Sequence, residues 1–511
     1  MKHTMTRRTL LANALALGTT LATTSCGGNK AGTSAEPNPD TITVGITTDI
    51  DSMDPAKVES AATRELHFNV FDGLVKPDTE GNLLPALASS WTISPDGSVY
   101  SFTLREGVKF HDDTPVTADD VKYSIERYRD STSGGSLVAA FAAVDHVDVV
   151  DSTHVDVTLA EPNTDFLAYF MVGITPAHVD NLETNPVGAG PYKFSSRSPL
   201  ENVTLAKFDD YWDAENAASI NNVIFKITSN TDAISMELAG GSIDMFYRLP
   251  EAQVDQLASD QFDLYEGTMN IVQALYVNNA KAPFDDVRVR QALAYAIDKQ
   301  QIMDYVSGGK GEKVGSSMYP AFGKYFLPEL NDAYSQNLDK ARELLAEAGY
   351  ENGFSFTIAV SSDHAQHVET SEVIKEQLAA IGVTANIQEL EWNSWLSGVY
   401  SDRNFEATVI GLDAAALNAP GMLSRFVSTA NNNFVNFSSP TYDETYAKAF
   451  ASVDDAEKTE LYKECERILS QECAAVYIQD LPSFVALRKC FSGYEFYPLY
   501  AQNIATIRFV G

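Results

Sequence analysis

The clearest hydrophobic pattern in this chain is a strand, a turn, a second strand and a helix. Trp91–Ile93 is a short apolar run, and Ser94–Gly97 follows it with turn-forming residues that include a Gly able to adopt positive φ. Val99–Leu104 alternates apolar and polar side chains, which predicts a half-buried strand. Thr117 and Asp120 then stand at the spacing of a helix-capping box, ahead of apolar residues at helical spacing. This stretch predicts mixed α and β structure.

Similar patterns continue along the chain. Thr41–Ile46 predicts the first strand, and the alternating valines of 144–159 predict a hairpin. Helical periodicity covers 286–306, 339–348, 367–381 and 441–470, and strand-like segments at 354–360 and 383–390 lie between these helices. Alternating helices and strands indicate α/β units.

The N-terminus has the pattern of a targeting segment. A basic start with Lys2 and Arg7–Arg8 precedes the apolar stretch Thr9–Ala22, and small residues lead to Cys26. This resembles a lipobox, which predicts a signal peptide over 1–26 with lipidation of Cys26, although an ordinary signal-peptide cysteine is the alternative. The paired arginines also resemble a twin-arginine signal, so both export routes stay open. The polar, Gly- and Pro-containing residues 27–40 predict a flexible tether.

Composition narrows the possible partners. The 511 residues carry a net charge of −34, and such an acidic surface repels nucleic acid and anionic membranes. Beyond the N-terminus no apolar run approaches the ~20 residues of a membrane span. We therefore predict a body that contacts a membrane only through the lipid anchor, with no nucleic-acid partner.

Five motifs carry a family resemblance. Besides the stretch from Leu83 to Arg127, they are Asp54-Pro55 with Asn69–Leu74, Asn185–Tyr192, Pro283–Asp298 and Ala341–Gly349. Together, in this order, they resemble the extracytoplasmic solute-binding proteins of family 5, which serve ABC importers for oligopeptides, dipeptides and nickel.

The resemblance implies an α/β, two-lobed periplasmic-binding-protein-like fold of type II, in the large variant with an extra inserted subdomain and a ligand cleft between the lobes. Lobe I would comprise 41–72, 186–270 and 491–511, the inserted subdomain 73–185, and lobe II 271–490. The implied function is to capture a small peptide or peptide-like solute outside the membrane and deliver it to the permease subunits of an ABC importer. We expect a monomer without a cofactor. A metal chelate, another non-peptide solute or a role as a surface sensor remains the alternative.

The same resemblance suggests ligand-binding residues. Alignment with the segment that pairs with a bound peptide places Glu59, Ser60 and Ala61 at the cleft. The motif around 391–396 makes Trp392 a wall of the pocket and Trp395 a second candidate, although two Trp residues three apart are also typical of a core.

A missing aspartate is informative about the ligand. The position at which peptide binders of the family pair an Asp with the ligand's ammonium falls here on Ala415. Asp413 lies two residues earlier, on the same face of an extended segment, and could replace it. Arg248 could hold a ligand carboxylate as a bidentate fork, or form a salt bridge at the hinge.

Other chemistries find little support in the sequence. His364 and His367 share a helical face and, with Asp363 and Glu369, could hold a metal. Polar residues that open a helix are commonly just solvated, however, and we predict no metal site. Gly-x-Ser-x-Gly, His-Glu-x-x-His and Cys-x-x-Cys motifs are absent, so we predict no enzyme activity.

Three cysteines remain besides Cys26. If the segments on either side of Asp480–Ser483 form a tight hairpin, Cys473 comes to lie opposite Cys490 and could form a disulfide, with Cys465 left free. The alternative is three buried free thiols.

Overall fold

The computed structural model describes residues 37–511 apart from Ser229 and Ala258. The predicted signal peptide, Cys26 and all but the last four residues of the predicted tether therefore lie outside the described residues.

The strands are, in chain order, β1 (Thr41–Ile46), β2 (Val75–Pro77), β3 (Leu83–Pro85), β4 (Ala88–Ile93), β5 (Val99–Leu104), β6 (Val144–Asp151), β7 (His154–Leu159), β8 (Tyr192–Ser198), β9 (Asn202–Lys207), β10 (Asn222–Ile227), β11 (Met245–Tyr247), β12 (Phe262–Thr268), β13 (Val272–Val277), β14 (Glu312–Lys313), β15 (Ser355–Ser361), β16 (Thr384–Leu390), β17 (Ala407–Leu412), β18 (Val476–Asp480), β19 (Pro482–Arg488), β20 (Phe491–Ser492) and β21 (Arg508–Phe509). The α-helices are α1 (Ala61–His67), α2 (Ala118–Arg129), α3 (Ser136–Ala139), α4 (Ile234–Gly240), α5 (Glu251–Val254), α6 (Val287–Ala296), α7 (Lys299–Val306), α8 (Leu338–Glu347), α9 (Ala365–Ala379), α10 (Trp392–Trp395), α11 (Ala419–Leu423), α12 (Pro440–Ala451) and α13 (Asp455–Gln471).

Two open mixed sheets form the two lobes. The first has the order β12-β19-β11-β1-β10-β9-β8, and the second β14-β18-β13-β17-β15-β16. Strand β13 is buried along its whole length, because helices and loops of lobe II cover both faces of the sheet there. A separate four-stranded sheet, β4-β5-β7-β6, carries its own hydrophobic core within the segment 73–185.

The patterns of the first stretch are confirmed. Strand β5 buries alternate residues, and the turn before it contains Gly97 at a φ of 74°. Helix α2 begins with the predicted capping box, in which the Thr117 N–H donates to Asp120 Oδ2 at 2.9 Å. The predicted hairpin at 144–159 is formed by β6 and β7.

The glycines of the motif Asn185–Tyr192 are explained by a close backbone approach. This segment lies against the chain at Val70, where a Cβ on Gly188 would come 2.1 Å from the Val70 carbonyl oxygen. A side chain there is sterically excluded, so the chain can return to the sheet of lobe I beside α1 only with glycine.

Two predicted long helices are each divided. Segment 286–306 forms α6 and α7, because Asp298 stops one helix and caps the next by accepting from the Gln301 N–H at 3.2 Å. Segment 441–470 likewise becomes α12 and α13, with Asp454 as the cap of the second.

The predicted hairpin around Asp480–Ser483 is wrong. Strand β18 pairs with β13 and β14 in lobe II, whereas β19 pairs with β11 and β12 in lobe I. The chain therefore passes between the lobes at Leu481, and β19 belongs to the sheet of lobe I although the sequence placed it in lobe II. Cys473 is not opposite Cys490, and all three described cysteines are buried free thiols.

The second passage between the lobes lies beside the first. It joins β12 to β13 through 269–271, and the two connections are hydrogen-bonded to each other. The Met269 N–H donates to the Leu481 carbonyl at 2.8 Å, and the Ile271 N–H donates to Asp480 Oδ1 at 3.0 Å. Both connections thus form one short hinge region at the base of the cleft.

Candidate ligand-binding site between the lobes

Two cavities lie where both lobes and the inserted segment meet, and a third lies between the lobes alone. The charged cavity, about 400 Å³, is lined by Arg64, Ser136, Asn163, Asp165, Tyr169, Asp413, Ala415, Ala416, Asn418, Pro420, Gly421, Ser424, Arg425, Asn432, Tyr446 and Phe450. The apolar cavity, about 120 Å³, shares Arg64 and Ala415 with it and is otherwise lined mainly by apolar residues, among them Val58, Phe68, Phe71, Leu137, Val138, Met171 and Val172. A larger groove of about 840 Å³ runs along the hinge side and includes Arg248, Glu251, Asp363 and Glu369.

The predicted residues 59–61 build the start of α1. The backbone N–H groups of Glu59 and Ser60 donate to Asp51 Oδ2 at 2.8 and 2.9 Å, and the Ser60 hydroxyl accepts from the Thr63 N–H as the helix cap. Burial alone would raise the pKa of Asp51, but the hydrogen bonds from Thr63, Glu59 and Ser60 outweigh it and lower that pKa. The backbone donors at 59 and 60 are therefore occupied by Asp51, while Val58 and Arg64, on either side, line the cavities.

Arg64 is the cation that α1 presents to the cleft. Its guanidinium carbon lies 5.0 Å from the centre of the Tyr500 ring. Its Nε has no hydrogen-bond partner, and among the described residues its side chain forms neither a hydrogen bond nor an ion pair. The sequence analysis missed this residue, because an arginine on a short helix is ordinarily solvated and no motif marked it.

Asp413 is an anion that lines the charged cavity from lobe II. It directly follows β17, and Arg425 Nη2 holds its backbone carbonyl at 3.0 Å. Its half-buried carboxylate accepts no hydrogen bond and forms no ion pair within the described part of the chain. Ala415, the position of the family's aspartate, lines both this cavity and the apolar one. Asp413 and Ala415 therefore line the same cavity.

Both unpaired charges influence the pKa of Tyr500. Burial raises its pKa, Asp413 raises it further, and Arg248 and Arg64 oppose that rise. The charges of Asp413 and Arg64 therefore shift the pKa of this tyrosine in opposite directions. On the lobe II side, buried Tyr319 also has a pKa raised by burial and by Asp480 and Asp413.

Arg248 is already paired within the protein. Its guanidinium forms a two-pronged ion pair with buried Glu65, in which Nη1 donates to Oε2 at 3.3 Å and Nη2 to Oε1. Burial raises the pKa of Glu65, and Arg248 counteracts part of that rise. Of the two interpretations of Arg248, the structure shows a salt bridge close to the hinge, although the residue still lines the larger groove.

The two tryptophans differ in exposure. Trp395 is 2% exposed and donates from Nε1 to Thr408 at 2.9 Å, so it is part of the lobe II core and does not form a pocket wall. Trp392 is half-buried, stacks on Trp395 at 5.2 Å between ring centres and meets the ring of His364 edge-on. The alternative that two tryptophans at this spacing belong to a core holds for Trp395.

His367 is hydrogen-bonded within the protein through both ring nitrogens. His367 Nδ1 lies 2.8 Å from Gln273 Nε2, and its Nε2 accepts from the Gly411 N–H at 3.2 Å. Burial lowers the pKa of His367 to about 3, which keeps the ring neutral. No group of three or more His, Cys, Asp or Glu side chains in the described residues is arranged to hold a metal ion.

The family of this protein is identified from the middle of the chain. Residues 82–434 match the model of the bacterial extracellular solute-binding proteins, family 5 Middle. The chain belongs to this family. The prediction of a solute-binding component of an ABC importer with a two-lobed α/β fold is thereby confirmed, and the members of this family are substrate-binding proteins of transporters.

Named relatives agree with the assignment. The glutathione-binding protein GsiB of Escherichia coli strain K12 is 27% identical over 451 residues, which cover 84% of this chain and 87% of that protein. The periplasmic binding protein DppA from Helicobacter pylori, solved with the peptide STSA, is 25% identical with a TM-score of 0.75 and covers 92% of this chain and 98% of its own. The binding protein AgaA from A. tumefaciens R10, solved with agropinic acid, is 26% identical with a TM-score of 0.76 and the same coverage. In the described part of this solute-binding protein, no helix is both long and apolar enough to span a membrane.

Proposed function

We propose that this protein captures a short peptide or peptide-like solute for an ABC importer and holds the ammonium group of the solute at Asp413. The observation that carries the proposal is the unpaired carboxylate of Asp413 in a cavity shared by both lobes. A carboxylate that faces a cavity without a partner in the described protein can accept a charge-assisted hydrogen bond from a ligand ammonium, which would neutralise it.

The neighbouring cavity supports a ligand with a side chain. The apolar cavity meets the charged one at Arg64 and Ala415 and is walled by aromatic and aliphatic groups. Burying an apolar group there contributes roughly 25 cal/mol per Å² of surface removed from water. A ligand that combines an ammonium group with a small apolar substituent therefore fits both cavities.

Relatives bind solutes of this kind. GsiB is named for glutathione and DppA was solved with a peptide, so the peptide class is our first candidate. The presence of Ala415 in place of the usual aspartate favours one second candidate, a non-peptide zwitterion. Asp413 would hold the ammonium of either ligand.

Identification of the natural ligand comes first. Native mass spectrometry of the protein purified without heating or denaturant is expected to reveal a co-purified zwitterion. Calorimetry with that compound then compares the wild type with Asp413→Asn. We expect the variant to bind at least about tenfold more weakly, because a charge-assisted hydrogen bond is worth roughly 1.5–3 kcal/mol.

A matched control separates the site from general effects of charge. Asp339→Asn removes a carboxylate that is 98% exposed on α8, and should leave affinity unchanged. Equal affinity of Asp413→Asn and wild type would place the ammonium group elsewhere and overturn the proposal.

We also propose that the mature protein is a monomer anchored by lipid at Cys26, with the following residues as a tether. The lipobox-like sequence supports the anchor. Cys26→Ala should release the protein from the membrane fraction into the soluble fraction, as followed by immunoblotting. Unchanged membrane retention of the variant would contradict lipidation at this residue.

A further inference from the structure

We propose that Lys458 and Tyr462 of lobe II hold Asp165 of the inserted segment, residues 73–185, and that these three residues form a latch that keeps the lobes closed. The latch must part before a solute can enter or leave the charged cavity. All of its groups belong to the protein, so it can close without a solute. The inference concerns the movement of the lobes and does not depend on Asp413 as the ammonium receptor.

The contacts of the latch converge on one carboxylate. Lys458 Nζ lies 2.9 Å from Asp165 Oδ2, and the Tyr462 hydroxyl donates to the same oxygen at 2.9 Å. Lys458 Nζ also donates to the hydroxyl of Thr164. The side chains of Lys458 and Asp165 are only 2% and 8% exposed. The two charges are therefore paired and withdrawn from water, unlike those of an ordinary surface salt bridge.

Each half of the latch is fixed to its own part of the molecule. Lys458 and Tyr462 are four residues apart on α13 and so share one face of that helix, and Tyr462 is packed into the hydrophobic core of lobe II. On the other side, the Asp165 N–H donates to Asn163 Oδ1 at 2.9 Å, and the Tyr100 hydroxyl donates to the Asn163 carbonyl at 2.5 Å. A movement of the two parts relative to each other must therefore break the latch.

The inserted segment is attached to lobe I by a shared core. Its hydrophobic core includes Ala56, Val187 and Ala189, which belong to the segments of lobe I on either side of it. Among the described residues, lobe II contributes no side chain to this core, and 73–185 contributes none to the core that contains Tyr462. The inserted segment should therefore move with lobe I. A buried ion pair gains little over its separated, hydrated partners, which suits a contact that opens and closes.

The latch also borders the candidate ligand site. Asp165 lines the charged cavity together with Asp413 and Asn418. Asn418 Nδ2 donates to the Asp165 carbonyl at 3.4 Å, while its Oδ1 accepts from the Gly421 N–H at 2.9 Å at the start of α11. None of these residues belongs to the two hinge connections, 269–271 and 481. Parting of the latch would therefore separate the walls of the charged cavity while the hinge stays joined.

Small-angle X-ray scattering of the ligand-free protein tests the latch. Lys458→Glu places a second carboxylate beside Asp165, so the lobes should separate. We expect a radius of gyration roughly 1 Å above the value of about 23 Å for a compact chain of this length. Tyr462→Phe removes one hydrogen bond and keeps the packing, so it should give a smaller increase. Lys448→Glu makes the same change of charge at a side chain that is 62% exposed on α12, and should leave the radius unchanged.

Urea denaturation of the same proteins separates a latch from a fixed structural contact. If Lys458→Glu lowers the free energy of unfolding but keeps the wild-type radius of gyration, the ion pair does not control opening, and the inference is overturned. If that variant does not fold, Asp165→Asn, which keeps the shape of the side chain and removes its charge, decides by the same two measurements. Neither result bears on the proposed role of Asp413, which calorimetry tests separately.

Discussion

Two arginines of lobe I approach the same tyrosine but differ in whether a carboxylate of the protein pairs with them. Arg64 and Arg248 lie 5.0 and 5.4 Å from the centre of the Tyr500 ring. Arg248 is neutralised by buried Glu65, whereas Arg64 has no carboxylate partner in the described part of the chain. The structure thus holds one arginine in a permanent ion pair and leaves the other available within the same cleft.

Helix α1 creates this difference. Arg64 and Glu65 are neighbours in sequence, and successive residues of an α-helix point about 100° apart. Arg64 therefore faces the cavities, while Glu65 is turned into the protein, where it is 1% exposed. There Glu65 pairs with Arg248, which directly follows β11. The comparison indicates that pairing within the protein, rather than residue type, distinguishes the structural cation Arg248 from Arg64, which remains without a carboxylate partner among the described residues.

Breaking the structural pair should have the largest effect. Arg248→Gln leaves the Glu65 carboxylate buried without its counter-ion, and we expect a loss of about 3 kcal/mol in the free energy of unfolding, measured by urea denaturation. The double variant with Glu65→Gln should recover part of this loss, because the buried charge is then gone as well. If Arg248→Gln alone cost less than about 1 kcal/mol, the pair would not be a structural element.

A buried carboxylate at the hinge extends the comparison to an anion that has no cationic partner among residues 37–511 as the structure describes them. Burial raises the pKa of Asp480 from 3.8 to about 8, and its Oδ2 has no hydrogen-bond partner. Because the folded state holds this proton and the unfolded state releases it near pH 4, stability should fall as pH rises from about 4 to about 8.

The variant Asp480→Asn tests that pH dependence. It keeps an acceptor for the Ile271 N–H and removes the titration, so it should be more stable than wild type by about 1–3 kcal/mol at pH 8. Near pH 4 the two proteins should unfold at similar denaturant concentrations. A stability difference that stays constant between these pH values would contradict titration of Asp480 in this range.

Removal of the available arginine should have the smallest effect on stability. Within the described part of the chain, Arg64→Gln breaks no ion pair or hydrogen bond, so the free energy of unfolding of the ligand-free protein should change by less than about 0.5 kcal/mol. Urea denaturation of the ligand-free protein, beside Arg248→Gln, gives the direct comparison. A loss similar to that of Arg248→Gln would mean that Arg64 is structural, and would remove the contrast between the two residues.

Local chemistry made much of the fold predictable. The capping box at Thr117, the alternation in Val99–Leu104 and the turn at Gly97 each depend on residues within a few positions of one another. The motifs were equally readable, because their glycines and capping residues meet backbone requirements that few other residues can satisfy. Asp413 could be proposed from the sequence because it lies two positions before Ala415, where the resemblance places the aspartate of the family's peptide binders.

Interactions between distant segments decided the rest. The segments 476–480 and 482–488 have the pattern of a hairpin, and only their pairing with different sheets shows that Leu481 joins the two lobes. Trp395 belongs to the core because Thr408 and the surrounding lobe enclose it. Arg248 and Glu65 are far apart in the sequence, so neither predicts that the other neutralises it. The sequence by itself therefore determined the family, most local elements and the candidate anion, since these rest on short-range spacing. The tertiary structure alone decided which charges stay unpaired, because that depends on which distant residues folding brings within 4 Å.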